Sequence, residues 1–334
     1  MDRLVLFTDD TAFVSTRLLK ATLQAVQCRN DVAVTAVCTR TPLRRYGRLY
    51  WHARIMMGGR IQSLFDPSRR RMYKALRPLN VDRIARQHRF EVLVPPDQNV
   101  NHPEFIEELK TRLKPTLALS YYCLQRFSPA LLDVFECVVN YHNGLLPEYM
   151  GWRATSWSVY HGETETGFTF HQMNENIDEG NVFIEGVVAT RPDAGWLDLE
   201  HEKAVAAEKC VPRLIEMLVK HQTGQPQTGT ARYFSRKDCL EITRIGAPSK
   251  HTSAELMKRL HAFGLLVMKI NGTWYEVTKL ERVSAKSKVR KSLSFRAADG
   301  IIMQPTRFRY VPFPLYRYLR LITRAVRSRQ AIQQ

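Results

Sequence analysis

The chain predicts an α/β protein: a mostly parallel sheet with helices on both faces, followed by a small α+β module. Three observations carry this reading. Short, almost continuously apolar runs, RLVLFT (3–8), DVAVTAVCT (31–39) and TLALSYYC (116–123), read as strands buried on both sides. Between such runs lie segments of helical period, as in 12–28, where Phe13, Leu18, Leu19, Leu23 and Val26 share a face. A length of 334 residues leaves room for a second, smaller unit behind the first.

In chain order, the strands at 3–8 and 31–39 enclose the first helix. After an insertion, alternation resumes with a strand at EVLVPP (91–96), a helix at 103–113 and the strand at 116–123. A short helix at 128–135, opening on Ser128-Pro129, leads to the strand CVVNYH (137–142). A helix follows from Trp152 to Gly162, then a strand at 182–190 and an amphipathic helix at 197–221 in which Pro212 predicts a kink. The first domain is thus 1–221, Rossmann-like in its order of elements. QTGQPQTGT (222–230) has the composition of a linker. Residues 231–305 form the module, with a helix at 253–263 capped by Thr252 or Ser253 and a hairpin turn at Asn271-Gly272.

Two basic segments stand apart. The insertion 40–89 interleaves arginines with Tyr46, Tyr50, Trp51 and Tyr73. It reads either as a surface for nucleotide phosphates or RNA, or as a helical pair with solvated arginines. The tail 306–334 places apolar residues at 315, 318, 319, 322, 325 and 326 and arginines at 317, 320, 324 and 327. That is a basic amphipathic helix, suited to docking on the domain or a second subunit, to an anionic membrane surface, or to RNA.

Composition narrows the classes. A hydrophobic content of 44% and a charged content of 25% are those of an ordinary globular protein. No apolar run approaches the roughly 20 residues of a membrane helix, and MDRLVLFTDD reads as a first strand, not a signal peptide. The expected location is the cytoplasm, peripheral to the membrane if the tail binds there. Six cysteines without paired spacing predict reduced thiols, neither a disulfide framework nor a zinc site. A net charge of +18 favours a phosphate-bearing partner, with a basic proteome as the bland alternative. Neither GxGxxG after the first strand nor GxxxxGK[ST] is present, and HEKAV at 201 is not HExxH.

The chemistry concentrates in 137–181. Asn140 and His142 lie two apart at the end of a strand, so both face one side. Asp178 follows in NIDEG, before the next apolar run. An amide, an imidazole and a carboxylate held together suit attack by an amine on an acyl group: the His takes the amine proton, the carboxylate orients it, and the amide meets the developing oxyanion.

Asn140-x-His142, Leu146-Pro147-x-x-x-Gly151 and Asp178-x-Gly180, in this order and at these distances, resemble the signature of the folate-dependent formyltransferases. The group includes glycinamide ribonucleotide, methionyl-tRNA and nucleotide-amino-sugar formyltransferases. The resemblance spans roughly 1–220, and more weakly 230–305. It implies a formyltransferase fold, N10-formyltetrahydrofolate as formyl donor and no metal. It further implies Asn140, His142 and Asp178 as catalytic residues, with protonated His142 and Asn140 stabilising the oxyanion. Tyr122, Leu124, Phe127, Ile177 and Gly180 would line the folate site; Gly144, Leu146, Pro147, Gly151 and Trp157 would face the acceptor. The chain departs from the pattern at Gly144, often Ser, and at Asn181, often Asp. The expected acceptor is an amino sugar on a nucleotide or a related small amine. Methionyl-tRNA is the alternative, and an inactive RNA- or membrane-associated relative the second. The carboxyl-terminal module resembles extensions that shape the acceptor site or a homodimer.

Overall fold

The computed structural model describes residues 1–8, 13–39, 81–123, 125–283 and 292–310. Most of the basic insertion, Leu124 and the tail beyond 310 lie outside the described residues. The chain divides into two compact units, 1–155 with 164–233, and 156–163 with 234 onward.

The first unit is built on a seven-stranded sheet of order β3-β2-β1-β4-β5-β7-β8. Its parallel part comprises β1 (Asp2–Thr8), β2 (Val32–Thr39), β3 (Glu91–Leu93), β4 (Leu117–Tyr121) and β5 (Cys137–His142). Strict alternation along β1 sends Leu4 and Leu6 to one face and Val5 and Phe7 to the other, each into its own buried cluster. The first cluster receives α1 (Phe13–Gln27); the second receives Phe105, Phe127 and Leu131. Helix α2 (Val81–His88) precedes β3, which ends at Leu93 because Pro95 and Pro96 follow and cannot donate to a ladder. Helix α3 (Pro103–Glu108) widens into a π turn at Leu109–Leu113, and α4 (Pro129–Leu132) is capped by Ser128 as its sequence predicts.

After β5 come the short β6 (Met150–Gly151) and α5 (Ala154–His161), then β7 (Glu165–Gln172) and β8 (Val182–Ala189). Both β7 and β8 add to the sheet antiparallel. The sequence reading has no strand over 165–172, although Phe168 and Phe170 alternate there with Gly167, Thr169 and His171; six successive residues of β7 are buried, polar ones included. Helix α6 (Trp196–Val219) continues through Pro212 and packs Ala204, Ala207, Val211, Leu214 and Leu218 on the first cluster. Residues 222–230, expected as a linker, run within this unit: Gln225 exchanges backbone hydrogen bonds with Val182, at 2.7 and 2.8 Å. The chain then passes through β9 (Tyr233–Phe234).

The second unit holds α7 (Arg236–Thr243) and a five-stranded sheet of order β10-β11-β12-β14-β13. Its strands are β10 (Arg244–Ile245), β11 (Leu266–Ile270), β12 (Thr273–Arg282), β13 (Phe295–Arg296) and β14 (Ile302–Tyr310). Helix α8 (Ser253–Phe263), capped by the Thr252 hydroxyl, sets Leu256 and Leu260 in a core with Leu266, Met268 and Val277. Asn271 and Gly272, with φ of 48° and 84°, make the predicted hairpin turn between β11 and β12. The tail begins later than composition suggested, since 306–310 complete β14. Among the described residues, no helix is long and apolar enough to cross a membrane.

Candidate active site

The carboxyl end of β5 delivers Asn140 and His142 to the same face of the sheet. His142 is buried, and its Nε2 lies 2.6 Å from the backbone oxygen of Tyr149. A carbonyl only accepts, so Nε2 carries the hydrogen and the neutral ring leaves Nδ1 bare. Nδ1 faces Asp178, 3.5 Å from Oδ2. The ring is therefore oriented by the Tyr149 carbonyl, while the carboxylate stands at the atom open to a proton.

Asp178 sits in a left-handed turn, φ 60°, between β7 and β8. The Gly151 amide donates to its Oδ2 at 2.8 Å, and Gln227 Nε2 donates to the backbone oxygens of Asp178 and Gly180, each at 2.8 Å. Burial alone would raise the pKa of Asp178; His142, His171 and the Gly151 amide outweigh it and hold the carboxyl well below the usual range. Burial also pushes the His142 pKa down, opposed by Asp178 and aided by His171 and Lys203. That direction favours the neutral ring as the form that accepts a proton, after which it is the imidazolium expected beside the oxyanion.

His171, a residue the sequence reading did not single out, completes the cluster. It lies on β7 directly opposite Asn140, with Nε2 3.2 Å from Asn140 Nδ2 and 3.5 Å from Asp178 Oδ1. Its own Nδ1 donates to the Gln172 carbonyl at 2.9 Å. Only the antiparallel register of β7 against β5 brings it here, and the motifs carry no signal for that register.

The other expected site residues separate. The Gly144 position has no room for a side chain: a Cβ would stand 2.6 Å from Ala154 Cβ and 2.9 Å from His142 Nε2, which accounts for the absence of Ser. Leu146 is buried, its amide donating to Thr169, and the Leu146–Pro147 peptide is cis. Gly151, at φ 86°, turns its amide toward Asp178. At Gly180 a Cβ would fall 1.9 Å from the Gln172 carbonyl oxygen. Ile177, beside the acid, is exposed. Tyr122, at φ 65°, is anchored through its hydroxyl to Glu200 Oε2 at 3.0 Å. Phe127 is 1% exposed and packs edge-on to Phe7, so its ring belongs to the core and not to a ligand surface. Trp157, expected near the acceptor, lies in the second unit, stacked on Phe234 at 4.5 Å and edge-on to Phe263. Leu124 falls outside the described residues.

Known proteins share this fold. Residues 74–215 match the family described as Formyl transferase, a stretch that contains the NxH strand, LPxxxG and the acid. A sugar N-formyltransferase from Shewanella sp. superposes with TM-score 0.56 at 14% identity, covering 93% of this chain and 96% of that one. A 4-N formyltransferase from Francisella tularensis gives 0.57 at 15% identity, with 93% and 99% covered. An N-formyltransferase from Helicobacter canadensis, solved with folinic acid and dTDP-3-aminofucose, gives 0.55 at 17%, with 91% and 99% covered. The fold is that of the formyltransferases. The match over 74–215 and the shared fold bear out the family resemblance and the enzyme class read from the motifs.

Proposed function

We propose that this protein is an N-formyltransferase that moves a formyl group from N10-formyltetrahydrofolate to the primary amine of an amino sugar carried on a nucleotide. The observation that carries the reading is the meeting of Asn140, His142 and Asp178, with the Gly151 amide, around one end of β5. The Helicobacter canadensis protein, solved with a folate and a dTDP-linked amino sugar, supports the choice of both substrates.

The residues present fit such a donor. The Asn140 side chain gives one N–H to His171 and has no second partner among the described residues, which leaves an N–H for a formyl oxygen. Ser120, paired with Asn140 across β4 and β5, has a buried hydroxyl without a hydrogen-bond partner among the described residues. Ile177 offers an apolar wall next to Asp178. When bound, the folate supplies a formyl carbon on a nitrogen that can leave.

Asn140 then donates to the formyl oxygen as negative charge grows there; one such donor is typically worth about 10²–10³ in rate. His142 Nδ1 accepts the proton that the acceptor amine loses as its nitrogen bonds the formyl carbon. Asp178 stabilises the resulting imidazolium across 3.5 Å. His142 returns the same proton to the leaving nitrogen as the old carbon–nitrogen bond breaks, so no net proton is held.

The test is tetrahydrofolate release with purified protein and N10-formyltetrahydrofolate. Nucleotide-linked amino sugars should support turnover while methionyl-tRNA and simple amines do not. Turnover with methionyl-tRNA alone would overturn the acceptor assignment, and no release with any amine would overturn formyl transfer itself.

A further inference from the structure

A second polar cluster lies beneath the active site and is not used by the chemistry above. Lys203 and Glu200, one turn apart on α6, are 0% and 3% exposed, with Nζ and Oε1 3.9 Å apart. Lys203 Nζ donates to the backbone oxygen of Asn143 at 2.6 Å and to the hydroxyl of Thr155. Glu200 Oε1 accepts from Asn143 Nδ2 at 2.6 Å and from Thr155, and its Oε2 accepts from the Tyr122 hydroxyl at 3.0 Å. Asn143 directly follows His142, and Tyr122 directly follows the last residue of β4. Two charges so deeply buried cost several kcal/mol each in desolvation, and hydrophobic residues of similar volume often serve stability equally well. A fold that keeps them here, on the segments bearing the catalytic histidine and the expected folate-lining tyrosine, is using them for placement.

We propose that Lys203 and Glu200 are positioning residues of the formyl-transfer site, an ionic clamp that fixes the ends of β4 and β5 relative to each other through Tyr122, Asn143 and Thr155. The proposal rests on the reading of 137–181 as a formyl-transfer site. Lys203 grips the Asn143–Gly144 peptide, one residue beyond His142, and Glu200 grips the side chains of Asn143, Thr155 and Tyr122. The lysine charge also reaches the histidine. His142 is faced by Asp178 from the β7–β8 turn, by His171 from β7 and by Lys203 from α6, and of these only the carboxylate favours the imidazolium. Lys203 itself, lowered by burial to about 8 against the pull of Glu200, has its ammonium form held by that partner.

The experiment follows the His142 ring by NMR titration of histidine-labelled full-length protein without substrates, assigned against His142→Gln. Lys203→Met removes the grip and the charge. It should raise the His142 midpoint by on the order of half a pH unit and shift the backbone amides of Asn143 and Gly144. Lys203→Arg, which keeps a donor and the charge, should hold the midpoint near that of the wild type. If Lys203→Met does not fold, the double variant Glu200→Gln with Lys203→Met leaves no lone buried charge and should show the same upward shift. A folded variant with an unmoved midpoint and unmoved Asn143 and Gly144 amides overturns the clamp. Turnover is read separately on the wild type: absence of tetrahydrofolate release with every amine would remove formyl transfer, while the titration would still judge the clamp.

Discussion

Asn140 on β5 and His171 on β7 stand opposite each other in an antiparallel pair, and the amide nitrogen of one lies 3.2 Å from the ring of the other. In the tautomer whose Nδ1 hydrogen goes to the Gln172 carbonyl, the His171 ring accepts at Nε2. That fixes which way the Asn140 amide points. Replacing His171 with Leu should free the amide to flip and lower kcat by about 10-fold, with a smaller change in KM for the acceptor. Steady-state kinetics would show it; an unchanged kcat would mean that Asn140 is oriented by something else.

The pH dependence follows from the direction in which His142 is shifted. Burial lowers its pKa from the ordinary value of about 6.5, so the neutral base persists into mildly acidic solution. The acidic limb of kcat/KM should therefore fall below that value. Asp178→Asn removes the charged neighbour that favours the imidazolium, leaving only the Tyr149 carbonyl to do so, so the limb should move further down while turnover drops by about 10²-fold or more. A pH–rate profile of the two proteins decides this, and a limb that moved upward would contradict the arrangement. His142→Ala should lose a similar factor and the limb with it.

The same coupling bears on stability. The folded pKa of Asp178 is depressed, so its contribution is complete above the unfolded carboxylate value of about 3.9 and disappears as pH falls toward the folded one. Asp178→Asn should therefore flatten the acid side of the stability curve below about pH 4, as measured by urea melts at successive pH values. An undiminished acid dependence would assign that side of the curve to other carboxylates.

Gly180 tests the turn that carries the acid. An alanine there would place Cβ 1.9 Å from the Gln172 carbonyl oxygen, which belongs to the β7 backbone and cannot rotate away. The variant should lose about 1–3 kcal/mol and most of its activity, read by denaturant melts alongside turnover. A stable, fully active Gly180→Ala would show that the turn yields more easily than its packing implies.

Trp157 separates packing from recognition. Its ring sits among Phe234, Phe263 and Tyr160 within the second unit. Trp157→Ala should cost about 3–5 kcal/mol, as large-to-small core changes do, whereas Trp157→Phe should cost less and leave KM for the acceptor unchanged. A raised acceptor KM in a stable Trp157→Phe would return the residue to the substrate side.

The sequence made the parallel half of the sheet legible because β1, β2, β4 and β5 are apolar runs separated by helical periods. Asn140, His142 and Asp178 were legible for a different reason: each occurs inside a motif of fixed spacing. His171 was not, since its place depends on the register in which β7 pairs with β5, and the alternation of Phe168 and Phe170 with Thr169 and His171 does not specify that register. Lys203 and Glu200 were hidden in a helix whose inner stripe reads as alanine, valine and leucine, where two charged residues pass for the solvated face. Phe127 and Trp157, expected at the folate and acceptor sites, present the opposite case. An aromatic ring near a motif looks like a ligand contact until its neighbours show that it packs in a core.

The hold of Gln227 on both carbonyls of the acid turn decides where this polypeptide can be cut. A fragment ending with the long helix, at 221, would look complete by its secondary structure yet lack the side-chain amide that tethers Asp178. Extending it to 233 restores that tether, and with it the backbone bonds from Arg232 to Pro147 and Met150. Whatever else a truncation removes, it keeps the acid turn tethered only if it retains a glutamine in a stretch that looks expendable.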